Sequence, residues 1–245
     1  MAKELTLDLG NNVTMRLALV PAGKFLMGSP KDERERAADE TQHEVAISKP
    51  FHMGIHTVTQ EQYKQVMGKN PSHFKGAKNP VETVSWVDAA EFCKNLSQTT
   101  GKTLVPPTEA QWEYACRAGT TTPFNTGEII NTAQANYCGN HVYGNGQKGK
   151  YREATVAVGS FKPNAFGLYD MHGNLWQWCA DWHGEDYYVN SPKTDPPGPA
   201  TGQSRVLRGG SWNLHPRYCR SAFRGWVEPD LRSFYIGFRV VALPG

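Results

Sequence analysis

The stretch RVLRGGSWNLHPRYCRSAFRGWVEPDLRSFYIGFRVV, residues 205–241, joins two kinds of sequence. Its ends read as scaffold: RVLRGGSW is strand-like and tight, and IGFRVV is a short apolar run of the kind that forms a buried strand. Between them stand Leu214, His215, Tyr218, Trp226, Val227, Leu231, Phe234 and Tyr235, bulky side chains with neither a helical nor a strand period. Tyr, Trp, Phe, Arg and His carry large contact area and a polar handle, the usual anchors of recognition surfaces. The candidate ligand-binding residues are therefore Asn213, Leu214, His215, Arg217, Tyr218, Phe223, Trp226, Val227, Leu231, Ser233, Phe234 and Tyr235. The competing reading turns Leu214, Leu231 and Phe234 into a core, whereas Trp226 and Tyr235 are expected at the surface.

Upstream, TMRLALVPAGKFLMGS alternates apolar residues and turns at Gly28, and HEVAISKPFHMGIHTVT reads as two strands broken at Pro50. The charge run KDERERAADETQ reads as a solvated loop. Three helices carry their own punctuation. Thr59 and Gln62 form a capping box closed by Gly68, Ser85 with Asp88 opens a second helix, and Thr108 with Gln111 opens a third that ends at Gly119. Residues 120–204 are rich in Gly, Asn, Pro and Tyr and have almost no helical period. A loop region of that length inside a compact domain is functional or stapled, here by aromatic packing or bound cations. No repeat or linker interrupts residues 1–245, so one domain is expected.

Composition narrows the function classes. The 245 residues are 39% hydrophobic with seven Trp, 24 Gly and 16 Pro, which favours an aromatic core and long ordered loops over a dense helical bundle. The net charge of +3 comes without a basic stripe, against nucleic-acid binding. No apolar run approaches the ~20 residues of a membrane span, and no secretory h-region opens the chain, so a cytoplasmic location and no membrane insertion are expected. Five cysteines without a C-x-x-C pair read as reduced, buried thiols, and His52 and His56 as strand or loop residues rather than metal ligands.

The motifs MGSP, VTQEQYKQVMG, PPTEAQWEYACRAG, GLYDMHGNLWQW, RVLRGGSW, CRSAFR and GFR, in this order, resemble the formylglycine-generating enzyme (sulfatase-modifying factor) family over about residues 20–241. The resemblance implies an α+β variant of the C-type lectin fold, with a small antiparallel sheet, few helices and long ordered loops. It also implies calcium in the loops, through Asp170 and Gln177 side-chain oxygens and the Gly173 and Leu175 carbonyls, with a second site at Asn136 and Tyr137. Gln177 stands where a Glu is usual, which removes a charge.

Family enzymes oxidise a sulfatase cysteine to formylglycine at Cu(I) held by a C-x-x-x-x-C pair after GGS. Here the first position is Leu214 and only Cys219 remains. Leucine cannot ligate a soft metal, so the departure speaks against copper and against catalysis, and Cys219 is a remnant that reads as a small buried residue. Members without the pair include the variable proteins of diversity-generating retroelements, in which adenine randomisation of a template rewrites codons in this region. Leu214, His215, Tyr218, Val227, Leu231, Ser233, Phe234 and Tyr235 are all reachable from an AAC codon. The resemblance thus implies a non-catalytic binder of a protein or other macromolecule, with 205–241 as its variable region. The alternatives are a copper-dependent oxidase and an accessory domain beside a kinase or defence system.

Overall fold

The computed structural model describes residues 3–244. Strands β1 (Glu4–Asp8), β2 (Thr14–Val20), β3 (Gly23–Met27), β4 (His43–Ile47) and β5 (Phe51–Gly54) precede helices α1 (Gln60–Met67) and α2 (Trp86–Thr100). Then come β6 (Leu104–Val105), α3 (Glu109–Arg117), β7 (Trp176–Trp182), α4 (Tyr187–Asn190), β8 (Arg205–Arg208), β9 (Gly225–Val227), β10 (Ile236–Phe238) and β11 (Val241–Ala242). One sheet runs β1-β2-β5-β11-β6, a second β10-β7-β8-β9, and β3-β4 form a hairpin pair. All pairings are antiparallel except β10 with β7.

The expected capping boxes of α1, α2 and α3 are all present, each N-cap side chain accepting from the N3 amide. The end of α3 differs by one residue: Ala118 is the cap, with φ 46°, and Gly119 follows it with φ 94°. IGFRVV is not one strand. It divides into β10 and β11, which belong to different sheets, with buried Arg239 at the crossing. The loop-rich stretch 120–204 also holds β7, the strand between β10 and β8 in the second sheet. Its sequence WQWCADW is buried along most of both faces, so no polar alternation announced it.

Two apolar clusters meet across the sheets. In one, Tyr63 stacks on Phe92 at 5.6 Å and Phe238 packs edge-on against Phe92 at 5.2 Å, joining α1, α2 and β10. In the other, Trp112 of α3 packs among Val20, Met53, Cys179 and Val241. All five cysteines are free and buried. No helix among the described residues is long and apolar enough to cross a membrane.

This frame positions the segment 209–235. β8 delivers the chain to a turn at Gly209 and Gly210, and a Cβ on Gly210, at φ +69°, would lie 2.6 Å from the Cys219 sulfur. That close approach requires glycine. The chain then makes a 3-10 turn over Pro216–Cys219 and returns as β9, the outer strand of its sheet. Beyond β9, the Trp86 amide at the start of α2 donates to Pro229 O (2.9 Å) and the Thr83 amide to Ser233 O (3.0 Å).

Candidate ligand-binding surface

The segment is organised from beneath by arginines that have no contact with solvent. Arg208 donates to the carbonyls of Ser221 and Ala222 (both 2.8 Å) and of Phe223, and pairs with Glu113 of α3. Arg220 reaches back to Glu33 and to both oxygens of Glu40, at 2.7 Å each. Arg224 forms a two-pronged pair with Glu109, at 2.8 and 3.0 Å, and approaches Asp39. The charge run 31–42 is therefore not a solvated loop. Glu33 and Glu40 are buried because Arg220 needs anionic partners where water is excluded.

A fourth support is neutral. The fully buried imidazole of His172 donates through Nδ1 to Cys219 O (2.7 Å) and accepts at Nε2 from the Asn125 amide (3.0 Å). This pair of bonds requires the uncharged ring, and burial pulls its pKa down to about 4 against the opposing effect of the Cys219 carbonyl.

Over residues 213–224 the surface separates cleanly. Asn213, Leu214, His215, Arg217, Tyr218 and Phe223 are exposed or half-buried, while Pro216, Cys219, Arg220, Ser221, Ala222 and Arg224 are all buried. Further along, Trp226 is 49% and Phe234 42% exposed, and Val227, Leu231, Ser233 and Tyr235 are half-buried. Trp226 points outward as expected. Tyr235 is more covered than expected and Phe234 less, because Tyr235 packs on the apolar core while Phe234 lies over Trp212 (5.9 Å) at the surface. Leu214, Tyr218, Phe223, Val227 and Leu231 also rest one side on that core.

Residues outside the segment complete the surface. His183 stacks on Trp226 with ring centres 4.0 Å apart and planes 12° apart. His141 lies 5.1 Å from His215, and His73, Phe74 and Tyr151 surround Trp212 and Phe234. No local sequence signal marked these residues, since their relation to the segment is purely spatial. The buried arginines had a faint signal: Arg220 and Arg224 bracket the small or apolar SAF in a stretch lacking any solvent-facing period.

Cys219 is fully buried, and burial pushes its thiol well above the ordinary value. Leu214 lies at the surface with its carbonyl accepting from the Cys138 amide (2.9 Å). The residues of the expected calcium set are arranged as follows. The Gln177 oxygen already accepts from Trp112 Nε1 (2.9 Å) and Arg239 Nε (3.1 Å), and its nitrogen donates to Asp170 O (3.0 Å). The Gly173 carbonyl accepts from the Leu175 amide (2.9 Å). A buried guanidinium thus stands beside Asp170, whose own carboxyl is pushed up by burial. Of the expected calcium set, the Gln177 oxygen is taken by Arg239 and Trp112, while Asp170 Oδ1 is buried without a hydrogen-bond partner. At the second expected set, formed by Asn136 and the Tyr137 carbonyl, Asn136 Oδ1 is buried without a partner. No group of three or more His, Cys, Asp or Glu among the described residues is arranged to hold a metal.

Against known proteins, the sulfatase-modifying factor enzyme 1-like domain matches residues 9–243. The chain belongs to this family. It is 40% identical over 169 residues to a formylglycine-generating enzyme of Streptomyces coelicolor, covering 66% of this chain and 52% of that protein. The chain thus spans about half the length of that relative. Among solved structures, variable protein 1 of Treponema denticola matches with a TM-score of 0.85 at 29% identity over 100% of both chains. PvdO of Pseudomonas aeruginosa matches with a TM-score of 0.82 at 31% identity over 97% of both. The fold of this family member is the formylglycine-generating-enzyme variant of the C-type lectin fold.

Two outcomes test the supports. Arg220→Met strands Glu33 and Glu40 in a buried site and should cost about 3–5 kcal/mol in urea unfolding; a cost below about 1 kcal/mol would contradict the clamp. Because the folded pKa of His172 lies below its ordinary value, the folded state binds fewer protons as pH falls. The stability advantage over His172→Asn should be full above about pH 6.5 and shrink towards pH 4, by up to about 3 kcal/mol. An NMR titration of the folded protein placing His172 near its ordinary pKa would refute this.

Proposed function

We propose that this protein is a non-catalytic binder that presents the outward residues of 213–235 to a protein or other macromolecular ligand. The observation that carries the reading is the separation along 213–224. The residues that hold the backbone most firmly are buried and bonded, and those between them turn at least one side to solvent, with Leu214, Tyr218 and Phe223 resting their other side on the core. A recognition surface built this way is ordered before the ligand arrives, so little conformational freedom is lost on binding. Trp226, supported from one side by His183, and Phe234, on Trp212, are its two most exposed aromatic anchors.

The finer reading is that 205–241 is the variable region of a diversity-generating retroelement. Likeness over the whole chain to variable protein 1 of Treponema denticola supports it. Its test is the neighbouring DNA: a near-copy of the coding segment for 205–241, differing at adenines and lying beside a reverse-transcriptase gene, is the expected finding. A fixed segment without such a copy would refute diversification while leaving binding intact.

Family membership favours a second reading, a copper-dependent formylglycine-generating oxidase. It requires a ligand in place of Leu214 and a thiolate at Cys219, whose environment favours the protonated form. Titration with Cu(I) against a chelator of known affinity separates the two. The binder reading expects no stoichiometric complex, and a one-to-one complex lost in Cys219→Ser would favour the oxidase.

The surface residues should also be dispensable for folding. Trp226→Ala and Phe234→Ala are expected to shift the unfolding free energy by no more than about 1 kcal/mol each, since neither side chain is buried. A loss of several kcal/mol in urea unfolding would make these aromatics structural.

A further inference from the structure

A cavity of about 400 Å3 opens beside the variable segment, between the strap at 30–34 and the loops at 121–129 and 143–145. Its back wall is built by the fold rather than left by loose packing. Pro123 O accepts from the Ser221 amide (2.7 Å), and the buried Tyr143 donates its hydroxyl to Arg34 O (2.7 Å). The rings of Pro30, Pro123 and Tyr143, with the exposed Ile129, give it apolar sides.

Its charge is one-sided. Asp32, Glu33 and Glu128 border the cavity against a single cation, Arg34, and neither Asp32, Glu128 nor Arg34 forms an ion pair among the described residues. Glu33 is the distinctive member. Its side chain is only 2% exposed, held from behind by Arg220 through Oε1. Glu33 lines the cavity, and of its two oxygens only Oε1 accepts from Arg220. Arg220 itself faces two carboxylates, Glu33 and Glu40, so one guanidinium does not neutralise the pair. A mostly buried carboxylate with one oxygen engaged, lining a cavity whose walls mix polar side chains with proline and tyrosine rings, suits a hydrogen-bond donor of positive charge.

We infer that this cavity binds an ammonium or guanidinium group carried on a short aliphatic stem, with Glu33 receiving the head group and Asp32 and Glu128 at the rim. The chemistry is that of a lysine or arginine side chain, or of a small free di- or polyamine. An anion is disfavoured by the three carboxylates, and a neutral apolar molecule would offer the Glu33 carboxylate no donor. The site is distinct from the outward face of 213–235, and either can fail without the other.

Isothermal titration of the intact protein with cadaverine and agmatine tests this, with 1-pentanol as the uncharged control. Saturable one-site binding of at least one amine, and none of pentanol, is expected. The double variant Asp32→Asn/Glu128→Gln, which leaves the Arg220 pairs untouched, should weaken binding by about fivefold or more, and Glu33→Gln should abolish it. Thermal unfolding shows whether the Glu33 variant is folded, and the rim variant carries the test if it is not. Nα-acetyl-lysine N-methylamide distinguishes the sources. Tighter binding than cadaverine means a side chain of a protein, and weaker binding means a free amine. No saturable binding of any of these up to about 10 mM, equal binding of pentanol, or an unchanged affinity in the rim variant overturns the assignment.

Discussion

Arg208, Arg220, Arg224 and Arg239 are among the largest fully buried side chains of the protein, and the rest of the architecture is arranged around their need for partners. A guanidinium removed from water is tolerated only when its donors are met by carboxylates and carbonyls. Those partners come from distant parts of the chain: Glu33, Asp39 and Glu40 from the N-terminal strap, Glu109 and Glu113 from α3, and the carbonyls of 221–223 from the segment itself. Arg239 does the same between Gly54, Tyr169 and Gln177 at the junction of the two larger sheets. Apolar packing supplies most of the free energy, but it is non-directional. The arginines fix where an irregular segment lies over that packing.

The consequence for function is a division of labour within one stretch of chain. Backbone order in 209–224 comes largely from buried groups, whereas 225–235 has no buried residue and is held by the β8 pairing and by the Trp86 and Thr83 amides. The position of the missing thiol illustrates it: Leu214 rests partly on the core and partly in solvent, while Cys219 points into the protein.

Several elements were plain in the sequence because their causes are local. The capping boxes at Thr59, Ser85 and Thr108 involve side chains and amides three residues apart, and the break at Pro50 follows from a missing amide proton. The motif order was sufficient for the family and its fold, and the outward position of Trp226 followed from a stretch without a core-forming period. What misled was always an environment supplied from elsewhere. Glu33 and Glu40 sit in a run as polar as any solvated loop, and only Arg220, far along the chain, makes them interior residues. Gln177 looked like a weakened metal ligand until Arg239 and Trp112 took its oxygen. Phe234 and Tyr235 are neighbours of like character, and their opposite fates depend on which one faces the core formed by β10 and α2.

By itself, then, the amino-acid sequence determined the family, the lectin-type fold, the boundaries of α1, α2 and α3 to within a residue, and the segment in which outward and buried residues alternate, but not α4. Each of these is a property of neighbours along the chain or of motif order. The tertiary structure alone decided which charges are interior, why IGFRVV serves two sheets, and which histidines and aromatics from other loops join the surface. It also decided that Glu33 lines a cavity. Burial and pairing depend on groups brought together from far apart in the chain, and the cost of an unpaired charge is set by that assembled environment rather than by the residue's own neighbours.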